Sequence, residues 1–153
     1  GISTEYLPQM NVDNLIPINE DKHLLIYVLR EGSWNLLGEL KNEEKYHKSA
    51  VNDVSWAILN GRSFHMVASC GKDCVFVWYL KIENKDTKDI SINVIGAQLI
   101  NNNGPVWKVS WNILATLLAY SGQDGKDGKV RICKSGYDRK WQVLAEFEEE
   151  EME

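Results

Sequence analysis

An internal repeat is the feature that most constrains how this chain can fold. The sequence Val-Asn-Asp-Val-Ser-Trp at residues 51–56 returns as Val-Trp-Lys-Val-Ser-Trp at residues 106–111, an offset of 55 residues (from 51 to 106). Each copy leads into a second apolar run and then a third, at 66–73 and 75–78 after the first copy and at 117–124 and 130–133 after the second. A period of this length is typical of propellers and other repeat arrays. The chain is therefore predicted to consist of repeated structural units.

Each unit has the pattern of short β-strands. Its apolar runs are about five to seven residues long and rich in Val, Ile, Trp and Tyr, which favour strands. A further match, of Trp34–Leu40 with Trp141–Phe147, extends the repeat toward the N-terminus. Four short strands joined by tight turns describe a propeller blade, so we predict an all-β chain with about two and a half four-stranded blades. The turn formers lie at Asn60-Gly61, Gly71-Lys72-Asp73, Asp124-Gly125 and Asp127-Gly128.

The matches also set the boundaries of the units. The polar, charged segment Lys81–Asp89 interrupts the first complete blade and is predicted to be a surface loop. Two and a half blades cannot close a ring, so strand edges and blade faces are left to be covered. We therefore expect self-association, or binding of a missing blade, through the faces near 21–42 and 130–147. In order, we predict a loop or edge strand over residues 1–20, the outer strands of a partial blade over 21–42, complete blades over 47–100 and 104–147, and an acidic tail over 148–153.

Composition narrows the classes of partner. The 153 residues are 44% hydrophobic and 25% charged, which is normal for a soluble globular protein. The net charge of −5 does not suit duplex nucleic acid, whose phosphates are neutralised by Lys and Arg. No run approaches the roughly 20 apolar residues of a membrane span, and the first residues lack the basic and apolar regions of a signal peptide. We therefore predict a soluble intracellular protein with no nucleic-acid partner and no direct membrane insertion.

The residues that could carry chemistry do not form a site in the sequence. Cys70 and Cys74 could supply half of a metal site, but the histidines provide no second pair at a matching spacing. His65 could act as a base for Ser63 or Ser69, with Asp53 or Asp73 as the orienting acid. The chain, however, lacks the Gly-x-Ser-x-Gly turn that presents a nucleophile. No Gly-rich loop precedes a helix to hold a phosphate. We predict no metal, no cofactor and no catalytic residue, and hence that the chain is not an enzyme.

Four polar residues of the first complete blade resemble the signature of WD-repeat β-propellers. His47 precedes the Val-x-Asp-Val-x-Trp run at 51–56, and Ser69, Asp73 and Trp78 follow it. In such blades these residues form a hydrogen-bonded chain between strands, so the resemblance implies a structural role for His47, Ser69, Asp73 and Trp78. Because an unpaired buried polar group costs about 1–3 kcal/mol, the four should satisfy one another. We predict that Asp73 accepts a hydrogen bond from His47, and that Ser69 lies between His47 and Trp78.

Two segments resemble more specifically the Sec-thirteen-homologue (Seh-type) nucleoporins, namely Asn60–His65 and Gly104–Asn112, and the similarity runs through residues 21–147. This resemblance implies an open, six-bladed propeller that acts as a non-catalytic scaffold for protein binding. A helical scaffold nucleoporin or coat protein would complete it by supplying one blade. The expected place is the Y-shaped complex of the nuclear pore at the nuclear envelope, which serves protein and mRNA transport. A cytoplasmic or lysosomal (vacuolar) membrane-associated pool is expected in a related nutrient-signalling complex.

Two alternatives stay open at this point. The Val-Trp-x-Val-Ser-Trp motif at 106–111 is shared with Sec-thirteen, which fits a coat protein of vesicle transport, and a generic WD-repeat module that recognises peptides would also fit. The last blade departs from the WD pattern, because Cys133 stands where a blade usually carries Trp and Asn102-Asn103 replaces the usual His. The polar chain is therefore predicted for the first complete blade and not for the last.

Overall fold

The computed structural model describes residues 15–20, 23–58, 61–72, 74–86, 89–101, 103–124 and 127–148. These residues form strands joined by turns, and no helix occurs among them, so the prediction of an all-β chain is confirmed. The strands are β1 Leu15–Glu20, β2 His23–Arg30, β3 Ser33–Glu39, β4 Val51–Trp56, β5 His65–Gly71, β6 Cys74–Asp86, β7 Asp89–Asn101, β8 Val106–Trp111, β9 Leu117–Asp124, β10 Asp127–Ser135 and β11 Trp141–Glu148.

The strands form three antiparallel sheets, each a simple meander. The first sheet has the order β1-β2-β3, the middle sheet β4-β5-β6-β7 and the last sheet β8-β9-β10-β11. Within each sheet, every strand pairs with the next one along the chain, as expected when short turns connect neighbouring strands. The fold is thus that of a partial, open WD-repeat propeller with two four-stranded blades. The sequence boundaries given above for the individual units stay a prediction.

The repeat is visible in backbone detail as well as in sequence. The pairing of β4 with β5 shifts register between Val51 and Asp53, and that of β8 with β9 shifts between Val106 and Lys108. A glycine lies opposite the first residue of each bulge. A Cβ on Gly71 would lie 2.9 Å from the Ala50 carbonyl oxygen, and one on Gly122 would lie 2.7 Å from the carbonyl oxygen of Pro105. The two bulges therefore require glycine, because the neighbouring strand passes too close for any side chain.

The middle sheet is packed on both faces. One face carries Val67 and Trp78 and meets the first sheet at Ile26, where all three side chains are fully buried. The opposite face carries Ala68, Val75 and Val77, which pack against buried residues of the last sheet such as Val109, Leu118 and Tyr120. Every residue of β5 is buried as a result. The sheets are therefore stacked layers with the core between them.

The prediction of a surface loop over Lys81–Asp89 is wrong. Strands β6 and β7 are each 13 residues long and continue as a hairpin through this segment, with Ile82 paired to Ile92 and Asn84 to Ile90. Ile82, Ile90 and Ile92 pack against the core between the first and middle sheets. The apolar side chains alternate along the hairpin, and their burial extends the strands beyond the usual length of about five or six residues. Residues 87 and 88 lie outside the described part.

Two of the sequence predictions fall largely outside the described residues. Of the acidic tail at 148–153, only Glu148 is described, and it is the last residue of β11. Of the segment 1–20, only β1 is described, and it pairs with β2. The part of the chain that the structure covers holds no helix that is long and apolar enough to cross a membrane.

Candidate interaction surfaces

The structure brings together three of the four residues predicted to form the polar chain. His47 Nε2 lies 2.6 Å from Ser69 Oγ, and Trp78 Nε1 donates to the same oxygen at 2.9 Å. All three side chains are buried, His47 at 3% exposure and the other two completely. The imidazole ring also packs edge-on against Phe76, with ring centroids 4.9 Å apart. Ser69 therefore connects the loop before β4 to strand β6.

One arrangement of protons satisfies His47, Ser69 and Trp78 together. A hydroxyl has one proton to donate, and Ser69 already accepts a bond from Trp78. If Ser69 donates its proton to His47 Nε2, all three groups are satisfied and the ring carries its proton on Nδ1. Burial lowers the pKa of His47 from 6.5 to about 4, so the ring is neutral at neutral pH.

The Nδ1 side of His47 is where the fourth member, Asp73, would be needed. Asp73 lies outside the described residues, so the complete four-residue chain stays a prediction. Among the described atoms, Cys74 Sγ is 3.9 Å from Nδ1, a distance at which sulfur makes only a weak hydrogen bond. Cys70, Cys74 and Cys133 form no disulfide bonds. Within the described ranges, no three His, Cys, Asp or Glu residues are grouped so that they could hold a metal ion.

The last sheet replaces this chain with a different polar cluster, in which Tyr120 and Arg131 are buried and Glu146 is exposed. In the repeat, Tyr120 is equivalent to Ser69 of the middle sheet. Arg131 is the cross-strand partner of Tyr120. Arg131 is 6% exposed, and its Nε donates to Glu146 Oε2 at 2.7 Å. Lys129 Nζ lies 2.9 Å from Glu146 Oε1, and the hydrogen bonds from Lys129 and Arg131 lower the pKa of Glu146. The strands β10 and β11 are thus joined by charges where the middle sheet uses neutral hydrogen bonds.

The inner strands β4 and β8 are joined across the gap between sheets. Asn52 Nδ2 donates to the carbonyl oxygen of Val106 at 2.7 Å, and the backbone N–H of Val109 donates to Asp53 Oδ2 at 3.1 Å. Trp111 Nε1 donates to the carbonyl oxygen of Ser55 at 3.1 Å. Side chains of one sheet thereby satisfy backbone groups on the edge strand of the next. The sequence analysis does not predict these hydrogen bonds of Asn52 and Asp53, although both residues lie within the repeat.

A second connection lies at the outer strands β7 and β11. The Gln98 side chain forms a pair of bonds with the backbone of Trp141: the Trp141 N–H donates to Oε1 at 2.9 Å, and Nε2 donates to the Trp141 carbonyl at 3.0 Å. The Trp141 indole donates to the Tyr79 hydroxyl at 2.9 Å. The Gln98 amide thus takes the place of a backbone strand partner. No periodic signal in the sequence marks Gln98.

The far face of the last sheet is apolar and exposed, and we term it the end face. It carries Trp107, Val130 and Phe147, which are 54%, 43% and 56% exposed and together line a shallow cavity of about 410 Å³. The repeat identifies the equivalent face of the middle sheet, where Val75 corresponds to Val130 and Ile100 to Phe147. Val75 is completely buried and Ile100 is 7% exposed, because the last sheet covers them. The end face therefore has the character of a sheet face that another sheet covers.

The chain is similar in sequence to nucleoporins. No family model matches it. Nucleoporin seh1 of Drosophila melanogaster is 38% identical over 96 residues, covering 62% of this chain and 26% of the relative. Nucleoporin SEH1-A of Xenopus laevis is 34% identical over 134 residues, covering 74% of this chain and 36% of the relative. Nucleoporin SEH1 of Homo sapiens is 37% identical over 115 residues, covering 66% and 31%.

The similarity covers most of this chain but only part of each relative. The chain spans about 26% to 36% of the length of these curated relatives. The repeated strand pattern and the stacked antiparallel sheets of this chain are those of a β-propeller. The chain is similar to Seh1-type nucleoporins over 62% to 74% of its own length, and its fold is that of a partial WD-repeat propeller.

Proposed function

We propose that the chain is part of a non-catalytic scaffold of the nuclear pore complex that holds a partner protein through its end face. The family supports the place, because the relatives are nucleoporins. The surface supports the mode of binding, because the end face is a sheet face built like one that is covered elsewhere in the same molecule. The observation that carries the proposal is the contrast between buried Val75 and exposed Val130 at equivalent positions.

The partner proposed for this face is a helical scaffold nucleoporin that contributes a strand-rich blade. Such a blade would bury Val130, Phe147 and Trp107, and burial of apolar area is worth about 25 cal/mol per Å². In the repeat, Trp107 is equivalent to Asn52 of the middle sheet, and Lys108 is equivalent to Asp53. The partner blade would therefore contact an indole and an ammonium group where the last sheet contacts an amide and a carboxylate. A lysine side chain cannot accept a hydrogen bond from a backbone N–H, as the Asp53 carboxylate does. The partner blade is therefore expected to differ from the chain's own blades and to place an acidic or carbonyl group opposite Lys108.

The absence of catalysis is also part of the proposal. His65 is buried against Trp56, with ring centroids 5.6 Å apart, and burial lowers its pKa. A buried imidazole in this position serves packing and offers no face to a substrate. We extend the proposal to a cytoplasmic or lysosomal (vacuolar) membrane-associated pool, in which the same end face would bind a related scaffold partner. This extension rests on the family alone.

Affinity purification with matched variants tests the function. The tagged chain is expressed in cells, and the proteins that purify with it are identified by mass spectrometry. We expect helical scaffold nucleoporins to purify with the wild-type chain and to be lost when Val130→Glu places a charge at the centre of the end face. Tyr137→Glu is the control, because Tyr137 is fully exposed in the turn between β10 and β11. Recovery of nucleoporins by neither the wild type nor the control, or by all three alike, contradicts the proposal.

A further inference from the structure

A second surface, separate from the end face, lies between the middle and last sheets at the end where Trp141 begins β11. A cavity of about 330 Å³ opens there, and an adjoining one of about 190 Å³ shares Phe64, Tyr79 and Arg139 with it. Cavities that bind small groups are about 300–1,000 Å³, mostly apolar, with a few placed polar groups. The combined space is sufficient for one or two side chains of a peptide.

The walls of this cavity are aromatic and held in place. The rings of Phe64 and Tyr79 meet edge to face, with centroids 5.7 Å apart. The Tyr79 hydroxyl accepts the bond from the Trp141 indole, and Trp141 is itself fixed by Gln98. Because these rings are already ordered by hydrogen bonds and packing, binding a ligand against them costs little side-chain entropy.

The charges around the cavity are all of one sign. Arg62, Lys134 and Arg139 line it, and none of its described lining residues is acidic. Arg62 Nη2 donates to the carbonyl oxygens of Ala115 at 3.0 Å and Leu114 at 3.3 Å, which fixes the guanidinium plane. Its Nη1 is covered and has no hydrogen-bond partner among the described residues. Arg139 is close enough to the Tyr79 hydroxyl for its charge to oppose the rise in the Tyr79 pKa that burial causes.

We propose that this cavity binds a short segment of a partner protein in which an anionic side chain stands next to an aromatic one. The anion would lie among Arg62, Lys134 and Arg139, and the aromatic ring would pack against Phe64 and Tyr79. A long polyanion such as nucleic acid fits less well, because the cations form one cluster rather than a stripe and the chain carries a net charge of −5. The anionic group is a carboxylate or a phosphorylated hydroxyl, which share this chemistry. The proposal does not depend on the nucleoporin function, since it involves different residues.

Peptide titration of the full chain, followed by the Trp141 indole N–H signal in ¹H–¹⁵N spectra, tests this inference. The probe is a blocked peptide, Gly-Ser-Glu-Phe-Ser-Gly. Peptides with Gln for Glu, with Ala for Phe and with phosphoserine for Glu serve as its comparisons. We expect saturable shifts of the Trp141 signal with the Glu or the phosphoserine peptide, and binding about tenfold weaker when the charge or the ring is removed. The peptide that binds more tightly identifies the anion.

The protein variants separate a charge effect from a loss of folding. Arg139→Gln and Lys134→Gln change exposed side chains at the cavity and should each weaken binding without altering the rest of the spectrum. Lys48→Gln removes an exposed cation from the loop before β4, away from both proposed surfaces, and should leave binding unchanged. The inference is overturned if no peptide shifts the signal, if inorganic phosphate alone shifts it as strongly, or if Lys48→Gln weakens binding as much as Arg139→Gln.

Discussion

At the scale of single residues, Ser69 is the link on which the buried polar groups of the middle sheet depend. Ser69→Ala would leave the ring nitrogen of His47 and the indole N–H of Trp78 buried without their partner. Each such group costs about 1–3 kcal/mol, so the two together should lower the free energy of unfolding by about 2–6 kcal/mol in urea denaturation. Ser110→Ala, at an exposed position of β8, is the control and should change it by less than about 0.5 kcal/mol. Equal effects of the two substitutions would contradict the role of Ser69.

His47 makes the stability of the chain depend on pH in a defined direction. Its pKa is about 4 in the folded state, against 6.5 as the ordinary value, so the unfolded chain binds more protons between these limits. Stability is therefore fully present above pH 6.5 and is lost as the pH falls toward 4, by up to about 3 kcal/mol. His47→Gln removes the titrating group while keeping a polar side chain. Urea denaturation at a series of pH values should show a shallower slope between pH 6.5 and 4 for this variant, and parallel curves would refute the assignment.

Residues of the middle sheet were easier to predict from sequence than those that join the sheets. His47, Ser69 and Trp78 follow a spacing that recurs in one well-known kind of blade, and the structure places them together. Gln98 and Arg62 follow no such spacing, because their partners are backbone groups of a neighbouring sheet. Which backbone groups face them is decided by how the sheets stack, and this is not written in the local sequence.

At the scale of secondary-structure elements, the hairpin of β6 and β7 shows how a strand pattern can be hidden by charge. The segment Lys81–Asp89 reads as a loop because Lys, Glu, Asn and Asp dominate it. The alternation of Ile90, Ile92 and Val94 on the returning strand is the signal that predicts otherwise, since every second residue faces the core. The strands within the repeat were predicted correctly because there the apolar residues are consecutive and the turns carry glycine.

The hairpin gives a prediction about its own stability contribution. Ile92→Ser should lower the free energy of unfolding by about 1–2 kcal/mol, because the Ile92 side chain packs against the core between the first and middle sheets. Asn93→Ser introduces the same residue at the neighbouring exposed position and should have little effect. Urea denaturation of both variants measures the difference. If the segment were a loop without packing, the two substitutions would be equivalent.

At the scale of the whole molecule, the stack of sheets has one covered and one uncovered copy of the same face. The first and last sheets cover the two faces of the middle sheet, and the inner and outer strands are joined by side-chain bonds such as those of Asp53 and Gln98. The last sheet has the same apolar pattern, but its Val130 and Phe147 are exposed. Stacking is thus directional: each blade has an apolar face that the next blade covers. On the last sheet this face stays exposed unless a further blade or a partner protein covers it.

The exposed end face predicts that the isolated chain associates with itself when no partner is present. Two end faces brought together would bury Trp107, Val130 and Phe147, which are now 54%, 43% and 56% exposed. Val130→Glu would place a charge in that contact without a partner, so we expect the dimer to dissociate at least about tenfold more readily. Sedimentation velocity over a range of concentrations measures this, with Tyr137→Glu as a control that adds the same charge away from the end face. A wild-type chain that stays monomeric at all concentrations, or a control that dissociates as readily as Val130→Glu, would show that the end face does not drive association.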